Sequence, residues 1–102
     1  MLTTEQIKQT VSEYFKDKPV KKVYLFGSYA RGEADEKSDV DLLVELDYSQ
    51  RVGLSFYGWY VDLGDIFSKK VDVVPADCIY EDLKIAIERD KILLVSTETP
   101  AA

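Results

Sequence analysis

The sequence predicts an α/β (α+β) fold, in which a small mixed β-sheet of about four strands is flanked by helices. Short runs of β-branched, aliphatic and aromatic residues alternate along the chain with segments whose apolar residues recur at helical spacing. The chain has 102 residues, 46% of them hydrophobic, which is enough for one domain with one core. We therefore expect a single domain over residues 1–102, with its core at about 20–95 and a polar tail at 96–102.

The first helix and the first strand are predicted near the N-terminus. Thr3 and Gln6 have the spacing of a capping box, which satisfies backbone donors at the start of a helix. The apolar residues that follow lie on one helical face: Ile7, Val11, Tyr14 and Phe15. Residues 17–19, Asp-Lys-Pro, end this helix. Residues 23–26, Val-Tyr-Leu-Phe, then predict a short buried strand, which Gly27 stops.

The turn after this strand has the features of a phosphate-binding turn. Ser28 suits the N-cap of a short helix over residues 28–31, and free backbone N–H groups at a helix start attract phosphate. Gly27 has no Cβ and so permits close backbone approach, while the Ser28 hydroxyl can add a hydrogen bond. The alternative is a turn that only reverses the direction of the chain.

Two carboxylates follow this turn at the start of the second predicted strand. Residues 40–46 alternate, and the residues expected to face a core are Val40, Leu42, Val44 and Leu46. Asp39 and Asp41 then face the other way, side by side. Neighbouring ionised carboxylates repel, and a magnesium ion, which prefers carboxylate and phosphate oxygens, removes that penalty. The alternative is a solvated polar end of a strand.

A third carboxylate lies on another short strand, predicted at residues 71–74 and stopped by Pro75. Asp72 projects from the face opposite to Val71 and Val73. If this strand neighbours the one that carries Asp41, three carboxylates converge on one sheet surface, as two-metal catalysis requires. The alternative is a surface residue on an edge strand.

A long helix is predicted at residues 52–69, and it is apolar on most sides. Phe56, Tyr60, Leu63 and Phe67 form one stripe, and Leu54, Tyr57 and Val61 form a second, with Trp59 between them. Gly58 and Gly64 suggest close packing against another backbone. We expect either a central core helix or a docking surface, anchored by Trp59 and Tyr57, for a partner or for self-association.

The remaining composition limits the class of function. Residues 80–89 predict a last helix and residues 92–95 a fourth strand. The net charge of −6 disfavours a polynucleotide as the main substrate. The chain has no His and a single Cys, Cys78, which argues against a zinc site and against serine-histidine catalysis. With no long apolar run and no signal-like N-terminus, we expect a cytoplasmic protein without a membrane span.

Taken together, the motifs resemble the nucleotidyltransferase superfamily of DNA polymerase β. The matching segments are Phe26-Gly27-Ser28, Asp39-Val40-Asp41-Leu42 and Val71-Asp72-Val73. The run Gly-Ser-Tyr-Ala-Arg-Gly with Ser-Asp-Val-Asp-Leu further resembles the minimal nucleotidyltransferases, the MNT antitoxins of prokaryotic toxin–antitoxin pairs. The resemblance covers about residues 20–95 and implies the polymerase β-like nucleotidyltransferase fold.

The resemblance also implies a reaction, the transfer of AMP from ATP to a hydroxyl with release of pyrophosphate. Asp39 and Asp41 would hold the triphosphate-bound magnesium ion, and Asp72 would join them at a second one. Asp72 could instead act as general base, and the sequence does not separate these roles. Gly27 and Ser28 would bind the β- and γ-phosphates.

Two further residues near the motif have alternative roles. Arg31 lies one turn after Ser28 and can reach a phosphate with its guanidinium group, or it can pair with Glu33, Asp35 or the three aspartates. Ser38 can cap the loop before Asp39 and steady it.

For MNT proteins, the resemblance implies a HEPN-domain toxin as partner, neutralised by binding and by transfer of AMP onto a tyrosine. Larger relatives carry a second domain that holds the acceptor, and we expect none here. Two alternatives stay open. In the first alternative, the chain is a non-catalytic antitoxin that only masks its partner. In the second, it is a nucleotidyltransferase that acts on a small molecule such as an aminoglycoside.

Overall fold

The computed structural model describes residues 2–47 and 56–96. Its helices and strands are α1 (Thr4–Tyr14), β1 (Val20–Phe26), α2 (Ser28–Arg31), β2 (Val40–Leu46), α3 (Phe56–Phe67), β3 (Val71–Pro75), α4 (Glu81–Asp90) and β4 (Ile92–Ser96). Single turns of 3-10 helix follow α1 and β3. Every predicted helix and strand is therefore confirmed as an element. Of the tail predicted at 96–102, Ser96 belongs to β4 instead, and residues 97–102 lie outside the described residues, as does the predicted helix start at 52–55.

The four strands form one mixed sheet in the order β3-β2-β1-β4. β1 pairs antiparallel with β2 and with β4, whereas β2 and β3 are parallel. Parallel neighbours need a crossover connection, and α3 lies within the one between β2 and β3. The expectation that the strand bearing Asp72 neighbours the strand bearing Asp41 is confirmed.

One face of the sheet carries the main core, which α1 and α3 cover. Its fully buried members include Ile7, Val11 and Phe15 from α1, Val23 and Leu25 from β1, Val40, Leu42 and Val44 from β2, and Leu63 from α3. The predicted core alternation of β2 is therefore confirmed, with Leu46 partly buried at its end. The capping box is also present: Gln6 N donates to Thr3 Oγ1 at 3.1 Å, and Thr3 N donates to Gln6 Oε1 at 2.9 Å.

The opposite face of the sheet is covered more thinly, by α4. Tyr24, Leu43 and Ile87 form a small second cluster there. Ile87 is the buried residue of α4, and Leu83 and Ile85 on the same helix are exposed. Asp41 shares this face because it alternates with the core residues of β2. The carboxylates therefore lie on the side of the sheet where space is left.

The structure decides how α3 is oriented. Trp59 is 1% exposed and packs edge-to-face against Phe15, with ring centroids 5.3 Å apart, whereas Tyr60 is 49% exposed. Tyr60 therefore lies outside the core, to which the rest of its predicted stripe contributes, and the expectation of Trp59 as a surface anchor is wrong. The buried face combines Trp59 with Leu63 and Phe67, because the largest side chain fills the space above Phe15. The side chain of Tyr57 lies outside what the structure describes.

The two glycines of α3 behave differently. A Cβ on Gly64 would lie 3.3 Å from the carbonyl oxygen of Lys69, so the backbone packed against this glycine is the turn that ends α3 itself. At Gly58 a Cβ would meet nothing within 4 Å among residues 2–47 and 56–96, so no close packing is found there in the described part of the chain. Within residues 2–47 and 56–96, no helix is long and apolar enough to cross a membrane.

Candidate active site

The turn between β1 and α2 is built on a conformation that only glycine adopts readily. Gly27 has φ +78° and ψ −154° and occupies the N-cap position, so Ser28 is the first residue of α2. The prediction of Ser28 as N-cap is therefore wrong. The reason is that the chain leaves β1 through a left-handed residue, which places the bend one residue earlier. A Cβ on Gly27 would also collide with Oδ2 of Asp41.

The helix after this turn is a single turn long. Arg31 N donates to Gly27 O at 3.1 Å, and Gly32, in the left-handed conformation, closes the end. A helix this short has only a small dipole, because the dipole sums over aligned peptide units. Any phosphate bound here is therefore held by individual backbone N–H groups at the helix start.

Strand register brings this turn and two of the carboxylates together. Asp41 is the partner of Phe26 in the antiparallel pair of β1 with β2, so it lies beside the turn that follows Phe26. Asp41 is also the partner of Asp72 in the parallel pair of β2 with β3. Since partners in register point to the same face, both carboxyl groups and the turn meet at one corner of the sheet.

The electrostatics of Asp41 reflect this crowding. Burial, the negative charges of Asp72 and Asp39 and a hydrogen bond with Asp72 together raise the pKa of Asp41 to about 6, against an opposing effect of Arg31. A carboxyl group with this pKa is still mostly ionised at neutral pH. The ionised form is costly there, and a bound cation would offset the cost.

Asp39 lies at the edge of this group. Its side chain is 42% exposed, and Oδ2 lies 4.0 Å from Nζ of Lys70. Among residues 2–47 and 56–96, no three acidic, His or Cys side chains are arranged to hold a metal ion directly. The structure therefore brings Asp41 and Asp72 into contact and leaves Asp39 within electrostatic range of them.

The donor chemistry of the three aspartates fits magnesium. All donors are carboxylate oxygens, which a hard divalent cation prefers, and they share the site with a turn suited to phosphate. The mutual repulsion that raises the pKa of Asp41 is the penalty that a cation would relieve.

Arg31 makes ion pairs rather than pointing free into solvent. Its Nε donates to Glu33 Oε2 at 3.0 Å, and Nη1 lies 3.6 Å from Asp90 Oδ2. The predicted pairing with Glu33 is thus confirmed, whereas Asp35 bonds within its own loop. Asp90, on α4, was missed by sequence reasoning because nothing in the local pattern relates it to Arg31. With 42% of its side chain exposed, Arg31 lies at the rim of the site.

The loop before Asp39 is organised by Ser38, as predicted. The Ser38 hydroxyl accepts a hydrogen bond from Asp35 N at 2.9 Å and donates to Asp35 Oδ1 at 3.2 Å. Asp35 Oδ1 also accepts from Lys37 N at 2.8 Å. These bonds fix the loop up to the residue that precedes Asp39.

A cleft of about 440 Å³ opens beside the carboxylates. Asp41 and Asp72 form its polar part, and its apolar part consists of Phe26, Tyr60, Val71, Val73, Val74 and Leu83. Its size suits a small molecule. Sequence reasoning missed Tyr60 and Leu83 as lining residues, because only the tertiary fold brings α3 and α4 to this corner. The site can therefore hold a charged group at its carboxylates next to an apolar or aromatic one.

Comparison with known proteins places this geometry in a family. A family model described as "Nucleotidyltransferase domain" matches residues 4–94. A relative from Methanocaldococcus jannaschii, named "Putative protein adenylyltransferase MJ1379", is 39% identical over 98 residues, which span 90% of this chain and 98% of that protein.

Solved structures share the fold. A chain of a toxin–antitoxin crystal structure with AMP-PNP superposes with a TM-score of 0.75 at 20% identity, covering 89% of this chain and 74% of that one. The complex of tri-AMPylated Shewanella oneidensis HEPN toxin with MNT antitoxin contains a chain that matches with a TM-score of 0.69 at 18% identity, covering 91% of this chain and 72% of that one. At these identities the likeness shows the fold.

Proposed function

We propose a function for this chain, which belongs to the nucleotidyltransferase domain family. The chain transfers AMP from ATP to a tyrosine hydroxyl of a HEPN-domain toxin, and it thereby acts as the antitoxin of a toxin–antitoxin pair. The observation that carries the proposal is the register of Asp41 with Asp72, directly beside the Gly27 turn. This arrangement supports the proposal because a carboxylate pair lies next to a turn whose backbone is suited to phosphate.

The comparisons support the choice of acceptor. A relative that this chain covers almost entirely is named as a protein adenylyltransferase. One structural neighbour is an MNT antitoxin complexed with an AMPylated HEPN toxin. The exposed side chains of Tyr60 and Leu83 at the cleft add an apolar surface on which a polypeptide could rest.

Different residues of the chain bind the phosphates and the metal ions in the proposed reaction. The backbone N–H groups after Gly27 and the Ser28 hydroxyl hold the β- and γ-phosphates. Asp39 and Asp41 would hold a magnesium ion bound to the triphosphate, and Asp72 would join them at a second ion. When bound, magnesium neutralises phosphate charge and lowers the pKa of the attacking hydroxyl.

The chemical step is an in-line displacement at the α-phosphorus. The tyrosine oxygen forms the new P–O bond, the bond to pyrophosphate breaks, and the tyrosine proton is lost. That proton would pass to Asp72 if this residue acts as general base, and to solvent if Asp72 is a metal ligand. In either role its carboxylate stays beside Asp41, and the two together orient the reacting groups.

Labelled ATP tests the proposal. The chain is incubated with ATP labelled at the α-phosphate, magnesium and the HEPN-type product of the neighbouring reading frame. We expect label to appear on the partner. The substitution Asp39→Asn should reduce the rate of labelling by at least about 100-fold, because it removes a proposed metal ligand. Asp65→Asn, an exposed carboxylate on α3, is the matched control and keeps full activity.

Other results would contradict parts of the proposal. Inhibition of the partner without any label would indicate an antitoxin that only binds. Label on an aminoglycoside but on no protein would indicate a small-molecule nucleotidyltransferase. Equal labelling by Asp39→Asn and the unaltered chain would remove Asp39 from the site.

A further inference from the structure

Lys69 lies between α3 and β3, three residues before Asp72. Its ammonium group donates to the Tyr29 hydroxyl at 2.7 Å, to the Ser38 carbonyl at 2.8 Å and to the Glu36 carbonyl at 3.4 Å. A lysine ammonium has three donors, so these acceptors use all of them. The same nitrogen lies 5.0 Å from the centroid of the Tyr29 ring, which adds a cation–π contact.

Two of these contacts, with Tyr29 and Ser38, are made to residues adjacent in sequence to the proposed site. Tyr29, which is 5% exposed, follows Ser28 in the phosphate-binding turn. Ser38 precedes Asp39, and Lys69 itself leads into the strand that carries Asp72. One half-buried cation therefore joins the three chain segments that supply the site.

The contact with Ser38 matters because β2 begins at Val40, so Asp39 lies just outside the strand. The side chain of Asp39 is partly exposed, and strand pairing alone does not hold it. On the C-terminal side of Asp39, Val40 N donates a hydrogen bond to the Lys70 carbonyl at 3.1 Å. On the N-terminal side, the ammonium group of Lys69 donates to the carbonyl oxygens of Ser38 and Glu36 and so holds the loop.

We infer that Lys69 is a positioning residue, which holds Asp39 and the phosphate-binding turn at the spacing that a metal-bound triphosphate requires. The inference rests on the proposed function for the identity of the ligand. It assigns Lys69 no contact with substrate. Its loss therefore weakens metal binding through Asp39 and leaves the core intact, since the side chain lies outside the buried clusters.

The test compares Lys69→Met with Lys69→Arg, Tyr29→Phe and the control Lys8→Met, which makes the same change at an exposed lysine of α1. Two quantities are measured. One is the affinity for Mn²⁺ in the presence of a non-hydrolysable ATP analogue. The other is amide hydrogen exchange of Asp35 and Ser38 in the metal-free protein, where both amides bond within the loop.

We expect Lys69→Met to weaken Mn²⁺ affinity by about tenfold or more, the range seen when a partner of a metal ligand is lost. Exchange at the two loop amides should accelerate, while exchange in α1 stays unchanged. Tyr29→Phe should cause a smaller change in the same direction, Lys69→Arg should restore part of the affinity, and Lys8→Met should change neither quantity.

The inference is overturned if Lys69→Met lowers the melting temperature while Mn²⁺ affinity and loop exchange stay within twofold of the unaltered chain. If Lys69→Met does not fold, Tyr29→Phe decides, and an unchanged affinity and exchange would overturn the inference. If the unaltered chain binds neither Mn²⁺ nor the analogue, the proposed function fails instead. Loop exchange in the metal-free protein then still shows whether Lys69 holds the loop.

Discussion

At the scale of single residues, Gly27 has to be a glycine for two reasons, its backbone conformation and the lack of space for a side chain. Its φ of +78° with ψ of −154° lies in a region that only glycine populates, and Oδ2 of Asp41 occupies the place of a Cβ. The absence of a side chain thus lets the carboxylate of Asp41 approach the turn, and it would let a phosphate approach in the same way.

We predict that Gly27→Ala destabilises the fold by about 1–3 kcal/mol, from backbone strain alone, and abolishes AMP transfer by displacing Asp41. Thermal or urea unfolding and the labelling assay measure the two effects. Gly58→Ala is the matched control, because this glycine lies in α3 and its Cβ would meet nothing within 4 Å among the described residues. That change should stabilise the chain by up to about 1 kcal/mol. Full activity in Gly27→Ala would contradict the placement of the turn.

Asp41 makes stability depend on pH. Its pKa is raised to about 6 in the folded chain, mainly by burial and then by Asp72 and Asp39, above the ordinary value of about 3.9 for an unfolded aspartate. The folded state therefore binds the proton more tightly. The stability that this provides is fully present below about pH 4 and is lost as the pH rises through about 6.

We predict that the metal-free chain loses stability relative to Asp41→Asn as the pH rises from about 4 to 7, because the asparagine does not ionise. Thermal melts in a chelator across this range measure the difference between the two proteins. Magnesium should raise the melting temperature of the unaltered chain more at pH 7.5 than at pH 4.5, since the ion binds the ionised carboxylate. A difference that is constant with pH would contradict the raised pKa.

At the scale of elements, α3 shows where pattern reasoning is ambiguous. A helix that is apolar on most sides has no single face that periodicity selects. Burial of Trp59 against Phe15 decides its rotation, and Tyr60 is left at the rim of the cleft. Self-association through this helix remains a hypothesis, now limited to its exposed residues, such as Val61 and Ile66.

We predict that Trp59→Ala destabilises the fold by about 3–5 kcal/mol, because it empties a fully buried site in the main core. Val61→Ala, on the exposed side of the same helix, should change stability by no more than about 0.5 kcal/mol. Chemical denaturation measures both. Similar values for the two variants would show that the helix is not oriented as described.

At the scale of the whole molecule, the sheet order explains how a short chain assembles a site from distant residues. Asp41 and Asp72 are 31 positions apart in sequence, yet the parallel pairing of β2 with β3 puts them in register. The thin cover over the second face of the sheet, provided by α4, leaves the cleft open beside them. Arg31 lies at the same corner of the sheet, where it forms an ion pair with Asp90.

Much of this could be predicted from sequence because it depends on local pattern. The alternation of residues 40–46 predicts which side chains face the core, and the capping box predicts the start of α1. The strand runs and their Gly and Pro stops predict the four strands. Gly27, Asp39, Asp41 and Asp72 are recognisable as candidates because their types and spacing suit phosphate and a divalent cation.

Other features depend on contacts between distant segments, which local pattern does not encode. The local pattern does not show whether β2 and β3 are neighbours, and the parallel pairing of the two strands decides this point. The pairing of Arg31 with Asp90, the burial of Trp59 and the bonds of Lys69 to Tyr29 and Ser38 each join residues at least 31 positions apart.

By itself, the sequence determined the elements, the core face of β2 and the residue types of the site, because short-range sterics and the periodicity of side chains fix them. The tertiary structure alone decided which strands are neighbours, which face of α3 is buried and where Asp39 lies relative to Asp41 and Asp72. The physical reason is that these outcomes are set by contacts between distant segments, which form only as the chain folds.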